Sequence, residues 1–187
     1  MSYPGHAPPL RSQAMGLRRS INGGLAGGIA AALWAAQQPL DKRGFGSDYD
    51  DVELLGKALV KGDDWPAAGF ALHVANGVAF GAAYAQLRRF LPGPALAQGT
   101  GMAVAEHFAL WPLVAVVDRY HPRRGELTRL KGNRTAFWQS FYRHVLFGLA
   151  MSAIEAKLNA DPVDDEPAPV PVSSNGHGDI KLAVGAA

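Results

Sequence analysis

The sequence predicts an all-α fold, specifically a four-span transmembrane helical bundle, and two observations lead to this prediction. Four segments of membrane-spanning length carry few or no charged residues, whereas the polar residues are concentrated in the ends and loops of the chain. The chain also repeats itself, which indicates that the four spans are two copies of one two-helix hairpin. A hydrocarbon core requires about 20 apolar residues per helix, and each segment meets that length.

The composition excludes several classes of function. At 187 residues the chain is long enough for one domain with a buried core. It has no cysteine, which excludes disulfides, zinc–thiolate sites and thiol catalysis. The net charge is only +2, and the basic residues are not interleaved with aromatic ones along a stripe, so we expect no nucleic-acid partner.

The predicted spans are residues 21–40, 66–87, 95–117 and 135–158. The first two contain no charged side chain, the third contains only Glu106, and the fourth carries Arg143, Glu155 and Lys157. A bundle helix in water has a charged face opposite its apolar stripe. The abundant glycine and alanine are poor helix formers in water but favour close helix packing in lipid. The alternative is a soluble helical bundle that acts as a binding module.

The segments outside the spans differ from one another in composition. Residues 1–20 lack periodicity and are predicted to be flexible, and residues 159–187, rich in proline, glycine and acid, are predicted to be a disordered tail. Loop one (41–65) is acidic and loop three (118–134) is strongly basic. Lysine and arginine are more frequent in these two loops than on the opposite side, which predicts that both loops face the cytoplasm.

Loop one also contains a helical pattern. Four apolar residues recur there at helical spacing: Val52, Leu55, Leu59 and Val60. This spacing predicts a short amphipathic surface helix.

The internal repeat relates the second span to the fourth and the first to the third. In the second span Phe70, His73, Val74 and Gly77 align with Phe141, His144, Val145 and Gly148 of the fourth. In the first span Leu33, Trp34 and the following Asp41 align with Leu110, Trp111 and Asp118 of the third. Since each copy holds two spans, the copies are expected to lie parallel in the membrane.

Small residues follow a four-residue spacing around the two repeated histidines. A four-residue row lies along one face of a helix, so each row predicts a narrow packing seam that holds one histidine. The helix-packing residues predicted in this way are Gly69, Gly77, Gly81, Ser140, Gly148 and Ser152.

Ionisable residues within the spans or at their ends form the candidate binding site. They are Asp41, His73, Glu106, His107, Asp118, Arg143 and His144. At about 1.5 Å per helical residue, the three histidines fall in one slab of the membrane, with both aspartates at its mouth. Ionisable groups at that depth are expected to face the bundle interior.

Two interpretations of this cluster are open. In the first, the histidines bind a small ligand or ion, a haem or a metal, or relay protons. In the second, each histidine hydrogen-bonds a neighbouring helix, and Glu106 pairs with Arg143. No nucleophile stands at a defined spacing from a base and no ligand spacing identifies a metal, so we predict no catalytic residue and expect no enzymatic activity.

The Gly-rich first span, the His-x3-Gly of the second, the Glu-His of the third and the His-x3-Gly of the fourth resemble the YagU-like small inner-membrane proteins of bacteria, over residues 20–158. The resemblance implies a multi-pass protein of the bacterial plasma membrane and no established activity. We therefore predict an integral inner-membrane protein, with the lipid bilayer as its partner. Its histidine cluster would serve assembly, including a homo-oligomer, or bind a small ligand or ion. A haem- or metal-dependent membrane redox protein that uses the same histidines is the alternative.

Overall fold

The computed structural model describes residues 9–160, with side chains from residue 14, and this part of the chain is helical without any strand. Its α-helices are α1 (Pro9–Phe45), α2 (Asp51–Leu59), α3 (Trp65–Leu87), α4 (Ala95–Leu110), α5 (Val114–Tyr120) and α6 (Arg134–Leu158). The all-α prediction is confirmed. Most of the predicted tail, and residues 1–8 of the predicted flexible segment, lie outside the described residues.

Local sequence signals account for several helix ends. Asp50 caps α2, because its side chain accepts a hydrogen bond of 3.0 Å from the backbone N–H of Glu53. Asn133 caps α6 in the same way, through the N–H of Ala136 at 3.0 Å. Pro66 lies in the first turn of α3, where its missing N–H leaves no partner unsatisfied. The predicted amphipathic helix of loop one is therefore present as α2.

The first helix extends beyond the predicted span at both ends. Residues 9–20, predicted to be flexible, are the first part of α1. Long-range hydrogen bonds hold this extension, because the Gln86 side chain of α3 donates to the Gly16 carbonyl and the Ser20 hydroxyl, both at 2.8 Å. The sequence around Met15 carries no signal for those partners, since they come from the end of α3.

The third predicted span is interrupted. Residues Trp111–Leu113 form a 3-10 turn between α4 and α5, and Pro112 lies in that turn. Proline has no backbone N–H to donate and its ring clashes with the preceding helical turn, so an α-helix cannot continue through it undisturbed.

The helices pack as two hairpins joined along one side. α1 packs against α3 and α4 packs against α6, as the predicted hairpins require. The two hairpins meet through α1 and α6. An exact two-fold arrangement would pair α3 with α4 in the same manner, but these two helices make few contacts. The halves are therefore asymmetric and leave an opening between α3 and α4.

Glycines bring the helix backbones of the first hairpin together. A methyl group placed on Gly77 would lie 2.6 Å from the carbonyl oxygen of Gly27, and one on Gly81 would meet the carbonyl of Gly23. Any side chain there would collide with backbone, so the seam of α1 and α3 requires glycine. Gly69 belongs to a different contact, because it meets Gly56 of α2.

The second hairpin has an equivalent seam. A methyl group on Gly148 would lie 2.6 Å from the Cα of Thr100 in α4, and Ser152 fills the space beside Gly99. Ser152 turns its hydroxyl back to the Gly148 carbonyl at 2.6 Å, so the polar group is satisfied within α6. Ser140 also faces α4, with its hydroxyl 3.3 Å from Nδ1 of His107.

Large apolar side chains are exposed on the outside of the bundle, and several polar side chains are buried inside it beside an apolar core. Exposed side chains form an apolar stripe along the outer face of α1: Leu17, Ile21, Leu25, Ile29 and Leu33. The interior, in contrast, contains fully buried polar side chains: Gln139, Arg143, Ser152 and Glu155. In the described part of the chain, one helical stretch, Ala95–Tyr120, is long and apolar enough to cross a membrane. The predicted total of four spans is thus not confirmed by helix length and hydropathy.

Candidate functional site: the groove between α3 and α4

The opening between α3 and α4 forms a groove with a volume of about 230 Å³, called the α3–α4 groove below. Helices α1 and α6 contribute its inner side, and α2 contributes Leu54 and Leu55 at the end nearest loop one. Its polar lining residues are Asp51, His73, Asn76, Glu106 and His144. Helix packing therefore brings three of the predicted site residues to one cavity.

A buried ion cluster lies at the loop-one end of the bundle. The guanidinium of Arg143 binds both carboxylate oxygens of Asp41, with N–O distances of 2.6 and 2.5 Å. Its third nitrogen binds Asp51 at 2.6 Å, and the backbone carbonyl of Tyr49 accepts a further bond at 3.2 Å. Gln139 donates to Asp41 at 2.7 Å. This hydrogen bonding compensates for the removal of the charges from water.

Asp51 links the ion cluster to the groove. Burial by itself would raise the pKa of Asp51, but the charge of Arg143 and the hydrogen bond from the Tyr49 hydroxyl lower the pKa below its ordinary value. Burial and the neighbouring carboxylate raise the pKa of Tyr49 well above its ordinary value. Asp51 is therefore ionised and Tyr49 is a neutral hydrogen-bond donor.

Trp34 contacts both of the repeated histidines. Its ring lies edge-on to His73 and to His144, with centroid distances of 5.2 and 5.0 Å. The indole N–H donates to Asp51 at 3.2 Å, which fixes the orientation of the ring. His107 stands beyond His144, at a centroid distance of 5.0 Å. The histidines and Trp34 thus form a chain of edge-on and tilted ring contacts.

Hydrogen bonds define which histidine nitrogen is available to a ligand. Nδ1 of His144 lies 2.8 Å from the carbonyl oxygen of Ser140, and a carbonyl only accepts, so Nδ1 carries the proton. The neutral ring then presents Nε2 as an acceptor, 3.9 Å from Glu106. The His73 ring similarly faces the backbone carbonyl of Ala31, and its buried Nε2 has no hydrogen-bond partner.

The remaining predicted site residues have other environments. Asp118 accepts hydrogen bonds from the backbone N–H groups of Leu130 (3.0 Å) and Lys131 (2.7 Å), so it organises loop three. Nε2 of His107 is buried without a partner, but His107 does not line the groove. The predicted pairing of Glu106 with Arg143 is wrong. Arg143 forms its ion pairs with Asp41 and Asp51 instead.

Sequence reasoning missed Asp51, Tyr49 and Trp34 as members of the site. Asp51 lies in the acidic loop one, whose apolar spacing predicts a helix at the surface. The available signal was the capping pattern Asp50-x-x-Glu53, which places Asp51 in the first turn of a helix. Nothing local indicates that this turn docks onto α6.

Loop three covers α2 on the outer side. Nε2 of His121 lies 3.0 Å from the Leu54 carbonyl, and its Nδ1 accepts the N–H of Arg123 at 3.1 Å. Glu126 pairs with Arg123 at 2.6 Å and with Lys57 at 3.1 Å. The strongly basic loop three, predicted from sequence to face the cytoplasm, therefore also holds α2 against the bundle.

The arrangement bears on the metal and haem interpretations. Among residues 9–160, no group of three or more His, Asp or Glu side chains is placed to hold a metal ion. The ring of Trp34 packs against both His73 and His144. The groove instead offers single hydrogen-bonding groups on an apolar wall, which is the usual form of a site for a small organic ligand.

The chain was compared with protein-family models, with curated proteins and with solved structures, and none of the three comparisons gave a match.

Proposed function

We propose that this chain is a multi-pass protein of the bacterial inner membrane that binds a small ligand in the α3–α4 groove. Four helical stretches would cross the bilayer: α1, α3, α4 with α5, and α6. Loops one and three would lie on the cytoplasmic side, where their lysine and arginine residues are favoured. The role of the protein is binding rather than catalysis, since the groove contains no nucleophile paired with a base.

The observation that carries the membrane proposal is the exposed apolar face of α1 together with the polar side chains buried inside the bundle. The outer face of α1 exposes a continuous row of leucine and isoleucine, and Leu25 in its middle is 55% exposed. Arg143, in contrast, has no exposed surface. In water the outer row would be an unusually large apolar patch, whereas in lipid it needs no covering. The buried ionic groups Arg143 and Glu155 have their partners inside the bundle, as hydrocarbon surroundings demand.

The glycine seams support the same medium. Lipid tails are as apolar as leucine, so transmembrane helices associate through close backbone approach rather than by hiding apolar surface from water. Gly23, Gly27, Gly77 and Gly81 provide such an approach between α1 and α3. The same glycines lower helix propensity in water by about 1 kcal/mol each relative to alanine.

Since the natural chain has no cysteine, single cysteines can test membrane position and groove access together. We would introduce Asn76→Cys in the groove and Leu25→Cys on the outer stripe of α1. In isolated membranes, a small water-soluble maleimide should label Asn76→Cys and leave Leu25→Cys unmodified, while detergent or urea should expose both.

The labelling results that would contradict the membrane location differ from those that would contradict the ligand site. Equal labelling of both cysteines in a protein recovered from the soluble fraction would show a soluble bundle and overturn the membrane proposal. An unlabelled Asn76→Cys in a protein that resists carbonate extraction would leave the membrane location standing and remove the groove as a ligand site.

A further inference from the structure

From the lining of the α3–α4 groove, and resting on its proposed role as a ligand site, we infer that the ligand is a small organic cation, a protonated amine on an apolar body. The hydrogen-bonding groups of the groove are predominantly acceptors. Glu106 offers carboxylate oxygens, Asp51 adds the negative charge of a second carboxylate, and Nε2 of His144 is an acceptor because its Nδ1 is bound to a carbonyl. The donor of Trp34 is already used by Asp51.

His73 provides the most direct evidence for a ligand. It is 92% buried, being only 8% exposed, and its Nε2 has no hydrogen-bond partner although it lines the groove. An unsatisfied buried acceptor carries a desolvation penalty that a bound donor would remove. With the ring hydrogen-bonded to the backbone of Ala31, Nε2 is the ring nitrogen that a donor entering the groove can satisfy. An ammonium group has three donors and no acceptor.

The carboxylates around the groove also outnumber the cations that face them. Arg143 is the cation that faces both Asp41 and Asp51, which leaves this cluster one positive charge short when all three groups are ionised. Glu106 adds a further carboxylate, and within residues 9–160 its closest basic partner is the His144 ring at 3.9 Å. A cation in the groove would supply the missing charge in a site where unpaired charges are expensive.

The rest of the lining defines the body of the ligand. Phe80, Leu110 and Phe147 provide an apolar wall, and the ring of Trp34 lies beside it. A hydrated inorganic ion gains nothing from these side chains, whereas an ammonium group on a hydrocarbon body gains both apolar burial and attraction to the aromatic faces. An anionic ligand would be repelled by Glu106 and Asp51.

A size-matched set of probes tests the ligand class: cyclohexylammonium, cyclohexanol and cyclohexanecarboxylate, titrated by calorimetry into the detergent-solubilised full chain. We expect cyclohexylammonium to bind at least about tenfold more tightly than the alcohol, since hydrogen bonds to a charged group are the stronger ones. The carboxylate should not bind. Glu106→Gln should bring cyclohexylammonium to the level of the alcohol. Glu126→Gln, the same change in loop three outside the groove, should leave its affinity unchanged.

The binding experiments separate failure of the cation proposal from failure of the groove as a ligand site. If ammonium and alcohol bind equally, or if Glu106→Gln binds the ammonium as the natural chain does, the cation proposal is wrong. Loss of that binding in Asn76→Trp, which fills the groove at an exposed position, would then still support the groove as a ligand site. If no probe binds while Asn76→Cys is labelled in membranes, the cation proposal is again wrong and the groove remains an open cavity.

Discussion

The guanidinium of Arg143 in α6 and the carboxylate of Asp41 in α1 form a two-point ion pair that is buried on both sides, with N–O distances of 2.6 and 2.5 Å. This pair joins the two hairpins, since α1 belongs to the first and α6 to the second. It also supports the groove, because the same guanidinium positions Asp51 in the groove lining.

Replacing Arg143 by methionine should strongly destabilise the protein. The change leaves Asp41 and Asp51 buried without their cation, and breaking a buried pair in this way costs about 3–5 kcal/mol. The free energy of unfolding, measured by denaturant titration in detergent micelles, is the readout. Arg124→Met, at an exposed position of loop three, is the matched control and should change stability by less than about 0.5 kcal/mol. Equal stability of the two variants would contradict the role of the pair.

Alanine at Gly81 should separate α1 from α3. The added methyl group would collide with the Gly23 carbonyl, and forcing extra volume into a packed contact costs about 1–3 kcal/mol. Gly101→Ala makes the same chemical change in α4, where a methyl group meets nothing within 4 Å. We expect only the first variant to lose stability in the same micelle titration. A comparable loss of stability in both variants would mean that glycine is needed at these positions for backbone flexibility rather than for close helix approach.

Lysine at Leu25 distinguishes a bilayer from water as the medium around α1. On a lipid-exposed face near the middle of a helix, a lysine costs about 2.5–3.5 kcal/mol by insertion measurements, whereas on a water-exposed face it is nearly neutral. We expect Leu25→Lys to lower the amount of membrane-inserted protein, measured by quantitative blotting of membrane fractions. Leu25→Met should behave like the natural chain. Normal levels of the lysine variant would count against a lipid-facing α1.

Acid should loosen loop three from α2 through Glu126. Hydrogen bonds from Arg123 and Lys57 lower the pKa of Glu126 from 4.5 to about 2. A carboxylate with a depressed pKa contributes stability that is fully present above pH 4.5 and is lost as the pH falls through about 2. A nitroxide on Thr128→Cys should therefore report rising loop mobility across this window by electron paramagnetic resonance.

The control for this prediction is Glu126→Gln in the same labelled chain. Its loop should be more mobile at neutral pH, and its mobility should change less between pH 4.5 and 2. Added salt should reduce the difference between the two chains, because these charges are exposed to solvent. If both chains showed the same pH profile, the loop would be held by other contacts, such as the His121 bond to Leu54.

Local sequence patterns were sufficient to predict the helices and the helix faces that are in contact within each hairpin. The cap at Asp50 and the apolar spacing in loop one predict α2, and the four-residue rows predict which faces of α3 and α6 carry the seams. Such features depend on residues a few positions apart, so the sequence by itself determined them. The predicted third span, 95–117, corresponds to the helical stretch Ala95–Tyr120, and the 3-10 turn within it follows from Pro112, a local feature as well.

The tertiary structure alone decided the partner of Arg143 and the shape of the groove. Asp41 and Asp51 reach Arg143 from distant parts of the chain, and depth along a helix does not specify which acid will meet a base. The repeat likewise implies equal contacts of α1 with α6 and of α3 with α4, but only the first pair packs closely. α2 with Asp51 and Leu55 is an insertion with no counterpart in the second hairpin, and it occupies one end of the space beside α3. Packing of that insertion, a long-range effect, leaves His73 facing a cavity instead of a neighbouring helix.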